Sequence, residues 1–121
     1  MSIRLAAAGY EVIAADASSQ MLSIAYARPV PPDAVAPVYL CQRMERLDLY
    51  GTVDAAVCCL DGVGYVTNPA TLTRAFSRVR LFMNPGGVFI FDVNSACLLR
   101  LPSGLFVKNA SFNLHARPFR A

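Results

Sequence analysis

No stretch of this 121-residue chain approaches the roughly 18 consecutive apolar residues of a membrane-spanning helix. A spanning helix therefore does not account for the 55% hydrophobic content. The apolar runs are short, such as "AAVCCL" and "GGVFIF", and turn residues bound them. That pattern predicts a parallel sheet covered on both faces. Cleavable-leader character is also lacking, because Glu11 and Asp16 interrupt the opening run "MSIRLAAAGYEVIAAD". None of the four cysteines, Cys41, Cys58, Cys59 and Cys97, forms a C-x-x-C pair. The expectation is buried free thiols in a reducing cytoplasm, with no metal and no disulfide. The Asn109-Ala-Ser111 sequon carries no meaning without a secretory signal.

Acids are missing from the end of the chain. Residues 1–92 hold seven arginines against eight acids, a net charge of −1, while residues 93–121 hold three arginines and one lysine. Four cations over 29 residues make too thin a patch to predict a nucleic-acid partner. The single histidine, His115, lies in this tail and is not read as a general base. Before Asp16 there is no glycine-rich turn, and the one glycine, Gly9, suits a helix end.

What is present alternates between helix and strand. Ser2–Ala8 reads as a helix stopped by Gly9, and Glu11–Asp16 as a strand. Ser18 is placed to cap a helix through Met21, Leu22, Ile24 and Ala25 that Pro29, Pro31 and Pro32 end. Val38–Cys41 is a second strand, "RMERLDLYG" a short helical turn, and Val53–Leu60 a third strand. Asn68-Pro69 starts a helix with Leu72, Ala75, Phe76, Val79, Phe82 and Met83 on one face and Arg74 and Arg78 outward. "NPGG" breaks it, and Val88–Val93 is the fourth strand. Such alternation predicts an α/β domain with a mostly parallel sheet over residues 1–95, followed by a basic tail over 96–121.

In open α/β sheets ligands bind beyond the carboxyl ends of the strands. Asp16 ends the first strand, where its carboxylate can accept both hydroxyls of a ribose, although an Asp there also serves as a simple turn former. "DASSQML", "VDAAVCCLD", "NPGG" and "VFIFDVN" follow in order. Together they resemble the class I S-adenosylmethionine-dependent methyltransferases over about Ser2 to Ser95.

The resemblance implies S-adenosyl-L-methionine as cofactor, a small-molecule acceptor and no membrane partner. Asp16 would bind the ribose, with Ala17 and Met21 against ribose or adenine; core packing is an equal reading of Met21. Arg43 and Met44 would flank the adenine, and Leu60 and Asp61 would face the methionine end. Tyr65 and Asn94 would lie on the substrate side, with Asp92 ending the strand nearby. The family often has an acid at the position of Arg43; an Arg stacks there or points to solvent, the preferred reading. "GVGY" stands where related sequences more often carry a Ser and an Asn. For Asp61, capping its own loop is preferred over polarising an acceptor. No catalytic residue is named, because an in-line methyl transfer requires alignment before anything else.

The resemblance also implies a Rossmann-like sheet that is only partial here. The first strand, between those beginning at Glu11 and Val53, and the glycine-rich loop after it would precede Met1. The tail is too short for the family's closing helix and antiparallel strand pair. A fragment of this kind is expected to bind cofactor weakly or not at all. Two readings stand beside it: an NAD(P)-binding Rossmann oxidoreductase domain, and a non-catalytic domain kept for its interactions.

Overall fold

The computed structural model of the chain describes residues 1–93. Asn94 and the whole tail, with Cys97 and His115, lie outside the described residues. The described residues belong to two compact units, Met1–Leu49 and the segment from Tyr50 onward.

In the first unit, α1 (Ser2–Ala7) ends at Ala8, and Gly9 follows with φ +90°. Only glycine takes that backbone conformation without strain, which is why the helix stops there. β1 (Ile13–Asp16) then pairs in parallel with β2 (Val38–Cys41), Ile13 opposite Val38 and Asp16 opposite Cys41. Between them runs α2 (Ser19–Tyr26), capped by Ser18, whose hydroxyl accepts the Met21 amide at 3.3 Å. α2 packs on both strands. The Tyr26 ring meets the Tyr39 ring edge-on at 6.0 Å. The Tyr39 hydroxyl reaches the Ala25 carbonyl at 3.4 Å and the Ser2 hydroxyl at 3.5 Å. After β2 comes a single 3-10 turn, η1 (Met44–Arg46), too short for a helix, as its sequence predicted.

In the second unit, β3 (Val53–Cys58) pairs in parallel with β4 (Met83–Phe91), and α3 (Pro69–Leu81) connects them. Asn68 caps α3 by accepting the Ala70 and Thr71 amides at 2.9 and 3.2 Å. Pro69 at the helix start needs no donor of its own. On the α3 side of the pair, Phe76 meets Phe89 and Phe91 at 5.7 and 5.5 Å.

Several expectations need correction. β3 stops at Cys58 rather than Leu60, because Leu60 and Asp61 both take positive φ, which no strand accommodates. β4 begins at Met83, so Met83 is a strand residue, and "NPGG" lies inside the strand. The register jumps there, from Val53 opposite Met83 to Ala55 opposite Val88, and Gly86 supplies a φ of +82°. Such extra residues bulge out of a ladder without ending it. Arg78 does not simply face outward; its guanidinium lies 5.2 Å from the centre of the Phe82 ring, a cation–π geometry.

The strands are not covered on both faces. Among the described residues only Ala6, Pro37, Val63, Ala75 and Val79 are buried. α2 packs on the first parallel pair and α3 against β4 of the second, while Ile13 and Val38 in one unit and Val57 and Val88 in the other are exposed. The thiols are likewise less buried than expected: Cys41 is exposed, and Cys58 and Cys59 are partly so, all three free.

Candidate functional site

The candidate residues divide between the two units, and each group is built from its own strands. In the first unit the parallel register sets the carboxyl ends of β1 and β2 side by side. The ladder continues past the strands, where the Gln42 amide donates to the Asp16 carbonyl at 3.0 Å. The Cys41 thiol reaches the Ala17 carbonyl at 3.8 Å. Asp16 and Ala17 are thereby brought to the same edge as the segment carrying Arg43 and Met44.

Asp16 has two roles available to it. Its Oδ1 accepts the Ser18 amide at 2.8 Å, a local turn of the kind an Asp commonly makes. Among the described residues its Oδ2 has no partner, and the side chain is exposed. One carboxylate oxygen thus fixes the turn and the other points an acceptor to solvent. Met21, one turn into α2, is 56% exposed.

The segment after β2 is closed by a residue the sequence did not single out. Gln42 donates from Nε2 to the Asp48 carbonyl at 3.1 Å and accepts the Asp48 amide on Oε1 at 3.0 Å. This two-bond clasp ties off the loop containing Arg43, Met44 and Glu45. Arg43 is 71% exposed, as preferred from sequence, and its Nε pairs with Glu45 at 2.9 Å. No periodicity or motif marks a glutamine for such a task, since the same residue in any other loop geometry would face water.

In the second unit Leu60 and Asp61 follow β3 with φ of 61° and 59°. Each non-glycine residue in that region costs about 1–2 kcal/mol. Asp92, just after β4, offsets this. Its Oδ2 accepts the Leu60 amide and its Oδ1 the Asp61 amide, both at 3.1 Å. Charge-assisted bonds contribute about 1.5–3 kcal/mol each when shielded, and these exposed ones fall at or below the low end. The two sides are of similar size. Asp92, which ends its strand, thus has both carboxylate oxygens bonded to the loop. Asp61 also lies in this loop, and its carbonyl accepts the Gly64 amide at 2.9 Å.

The glycines of "GVGY" leave room for side chains that fold back close to them. A Cβ on Gly62 would stand 2.6 Å from the Cys58 sulfur, and one on Gly64 would overlap the Asp61 carboxylate. Burial pushes the Cys58 thiol above its ordinary 9.0, and the charges of Asp92 and Cys59 add to this, against a lowering contact from the Val63 amide. Leu60 and Tyr65 are the exposed apolar groups of the segment, at 87% and 83%. Asn94 lies outside the described residues. Among the described residues no group of His, Cys, Asp and Glu could hold a metal ion.

Parallel strands with acids at their carboxyl ends are shared by several enzyme classes, and the comparison with known proteins separates them. Residues 1–91 match the family described as the methyltransferase domain. The chain belongs to that family. Among curated relatives of this methyltransferase-family chain is the protein named "Putative methyltransferase YqeM" of Bacillus subtilis (strain 168). It is 33% identical over 97 residues, which cover 79% of this chain and 38% of the relative. The glycine/sarcosine N-methyltransferase of Halorhodospira halochloris is 28% identical over 92 residues, 75% of this chain and 34% of that protein. A crystal structure of an S-adenosylmethionine-dependent methyltransferase from Clostridium acetobutylicum ATCC 824 superposes with a TM-score of 0.60 at 30% identity. It covers 71% of this chain and 35% of that one. The fold is thus a partial Rossmann-like methyltransferase fold, and the chain spans little more than a third of the length of these relatives.

Proposed function

We propose that this chain belongs to an S-adenosyl-L-methionine-dependent methyltransferase that acts on a small-molecule acceptor. The observation that carries the reading is Asp16. It stands at the carboxyl end of β1 within the matched residues, with one oxygen fixed by Ser18 and the other available. A ribose hydroxyl can donate to that second oxygen, so the residues of this edge fit the cofactor. When bound, the cofactor supplies an activated methyl group on a sulfonium. The chain's own residues bind and orient. Asp16 takes the ribose, while Ala17, Met21, Arg43 and Met44 offer surface to the nucleoside. The resemblance assigns Leu60 and Asp61 to the methionine end, and Tyr65 and Asn94 to the substrate side. No residue is assigned a proton-transfer role.

A cytoplasmic setting is part of the proposal, and the three free thiols of the described residues support it. No helix among the described residues is long and apolar enough to cross a membrane.

The test is amide NMR of the 121-residue chain titrated with S-adenosylhomocysteine and, separately, with NADH. Weak binding, in the millimolar range, is expected for S-adenosylhomocysteine. It should move the resonances of Asp16, Ala17, Ser18 and Arg43 and leave them in place when Asp16 is replaced by Ala. A response to NADH alone would transfer the reading to a nicotinamide-dependent oxidoreductase. Silence with both ligands fits a fragment as well as a non-catalytic interaction domain, and the same titration on a chain extended upstream then separates the two.

A further inference from the structure

The turn after β3 has a geometry that its own residues do not impose. Leu60 and Asp61 are consecutive left-handed residues, and neither is a glycine. Leu60 is almost fully exposed, so packing does not hold it there. What holds it comes from thirty residues further along the chain. The Asp92 amide donates to the Cys58 carbonyl at 3.3 Å, extending the β3–β4 ladder by one rung. That rung places the Asp92 carboxylate over the turn, where each oxygen takes one of the two consecutive amides at 3.1 Å.

We infer that Asp92 is a positioning residue, which latches the Leu60–Asp61 turn in the conformation that meets the ligand. This rests on the proposed assignment of that turn to the methionine end of the cofactor. The latch requires a carboxylate of this length. An amide at the same place would keep one acceptor and turn an NH2 group against a backbone N–H. A Glu keeps both acceptors on a stem one carbon longer. Because the two amides are consumed internally, the turn presents its side chains and remaining carbonyls, not its N–H groups, to whatever binds there. Gly62 and Gly64 let the following residues fold back close to Cys58 and Asp61.

The experiment compares the wild-type chain with Asp92→Asn and Asp92→Glu by amide hydrogen exchange and by S-adenosylhomocysteine titration. The Thr71 amide, capped by Asn68 in the same unit, reports whether each variant is folded. In Asp92→Asn the Leu60 and Asp61 amides are expected to exchange about tenfold faster or more, with Thr71 unchanged. The ligand-induced shifts at Leu60 and Asp61 are expected to need roughly tenfold more ligand, and Asp92→Glu to recover part of both losses.

Unchanged exchange at Leu60 and Asp61 in Asp92→Asn would overturn the latch. Faster exchange with an unaltered ligand response would overturn its positioning role. If wild type gives no response to S-adenosylhomocysteine at any residue, this chain binds no cofactor and the positioning role falls with that. The exchange data then still decide whether Asp92 holds the turn.

Discussion

Asp16 accepts the Ser18 amide on Oδ1 at 2.8 Å, and Ser18 in turn caps α2. Strand end, turn and helix start are thereby one hydrogen-bonded unit. The roles of its acid and its capping hydroxyl can be separated by substitution. Asp16→Asn retains an acceptor for Ser18, so stability should change by less than about 0.5 kcal/mol, while the response to S-adenosylhomocysteine is lost. Ser18→Ala removes the cap and should cost about 1 kcal/mol. Urea denaturation and ligand titration of the two variants check this. A large stability loss in Asp16→Asn would mean that the turn is the residue's main task.

Asn68 satisfies two amides at the start of α3. Asn68→Ala should destabilise the chain by about 1 kcal/mol, and Asn68→Ser by less, since Ser is also a good cap. Denaturant midpoints measure both. By contrast, Arg43→Ala breaks an exposed ion pair, and should change stability by no more than about 0.5 kcal/mol.

The glycines divide by cause. Gly9 has open space around its missing side chain but φ of +90°. Gly9→Ala should therefore cost about 1 kcal/mol through the backbone alone. Gly62→Ala meets the Cys58 sulfur and Gly64→Ala meets the Asp61 carboxylate. Both clashes are with side-chain atoms, so Cys58→Ala should relieve the loss in Gly62→Ala. Double-mutant cycles on Gly62 with Cys58 would show a coupling, and Gly9 with Cys58 would show none.

The raised Cys58 thiol gives a pH dependence whose sign follows from linkage. Burial, Asp92 and Cys59 favour the protonated form in the folded chain. That contribution is fully present below the ordinary value of 9.0 and is lost as pH rises from there through the folded value. Stability should fall across this alkaline window, and less steeply in Cys58→Ala. Exposed Cys41 should also alkylate faster than Cys58 at any pH below the window. Equal alkylation rates would remove the argument.

Local chemistry was legible in the sequence wherever a residue acts on its immediate neighbours. Gly9 stops a helix because of its own backbone freedom. Ser18 and Asn68 cap because an oxygen on a short side chain reaches amides two or three residues away. The strand at Val38–Cys41 follows from its apolar run, and the ordered motifs around Asp16 pointed to the methyltransferase family before any fold was known. Asp16 itself stood out because the end of a strand is a position the pattern can locate.

What depended on pairing between distant segments was not legible. The start of β4 at Met83 is decided by β3, whose Val53 amide donates to the Phe82 carbonyl at 2.7 Å and whose Asp54 carboxylate accepts from the Asn84 side-chain amide at 2.8 Å. Those contacts keep "NPGG" within the strand, where its composition alone reads as a turn. Asp92 became a latch only because the ladder delivers it beside two backbone amides, and Gln42 became a clasp only because its loop folds back to bring the Asp48 amide and carbonyl within reach. A side chain's reach is set by its own bonds and can be read from the sequence. Which backbone lies within that reach, when the partner is thirty residues away, is set by strand register, and only the tertiary structure decides it.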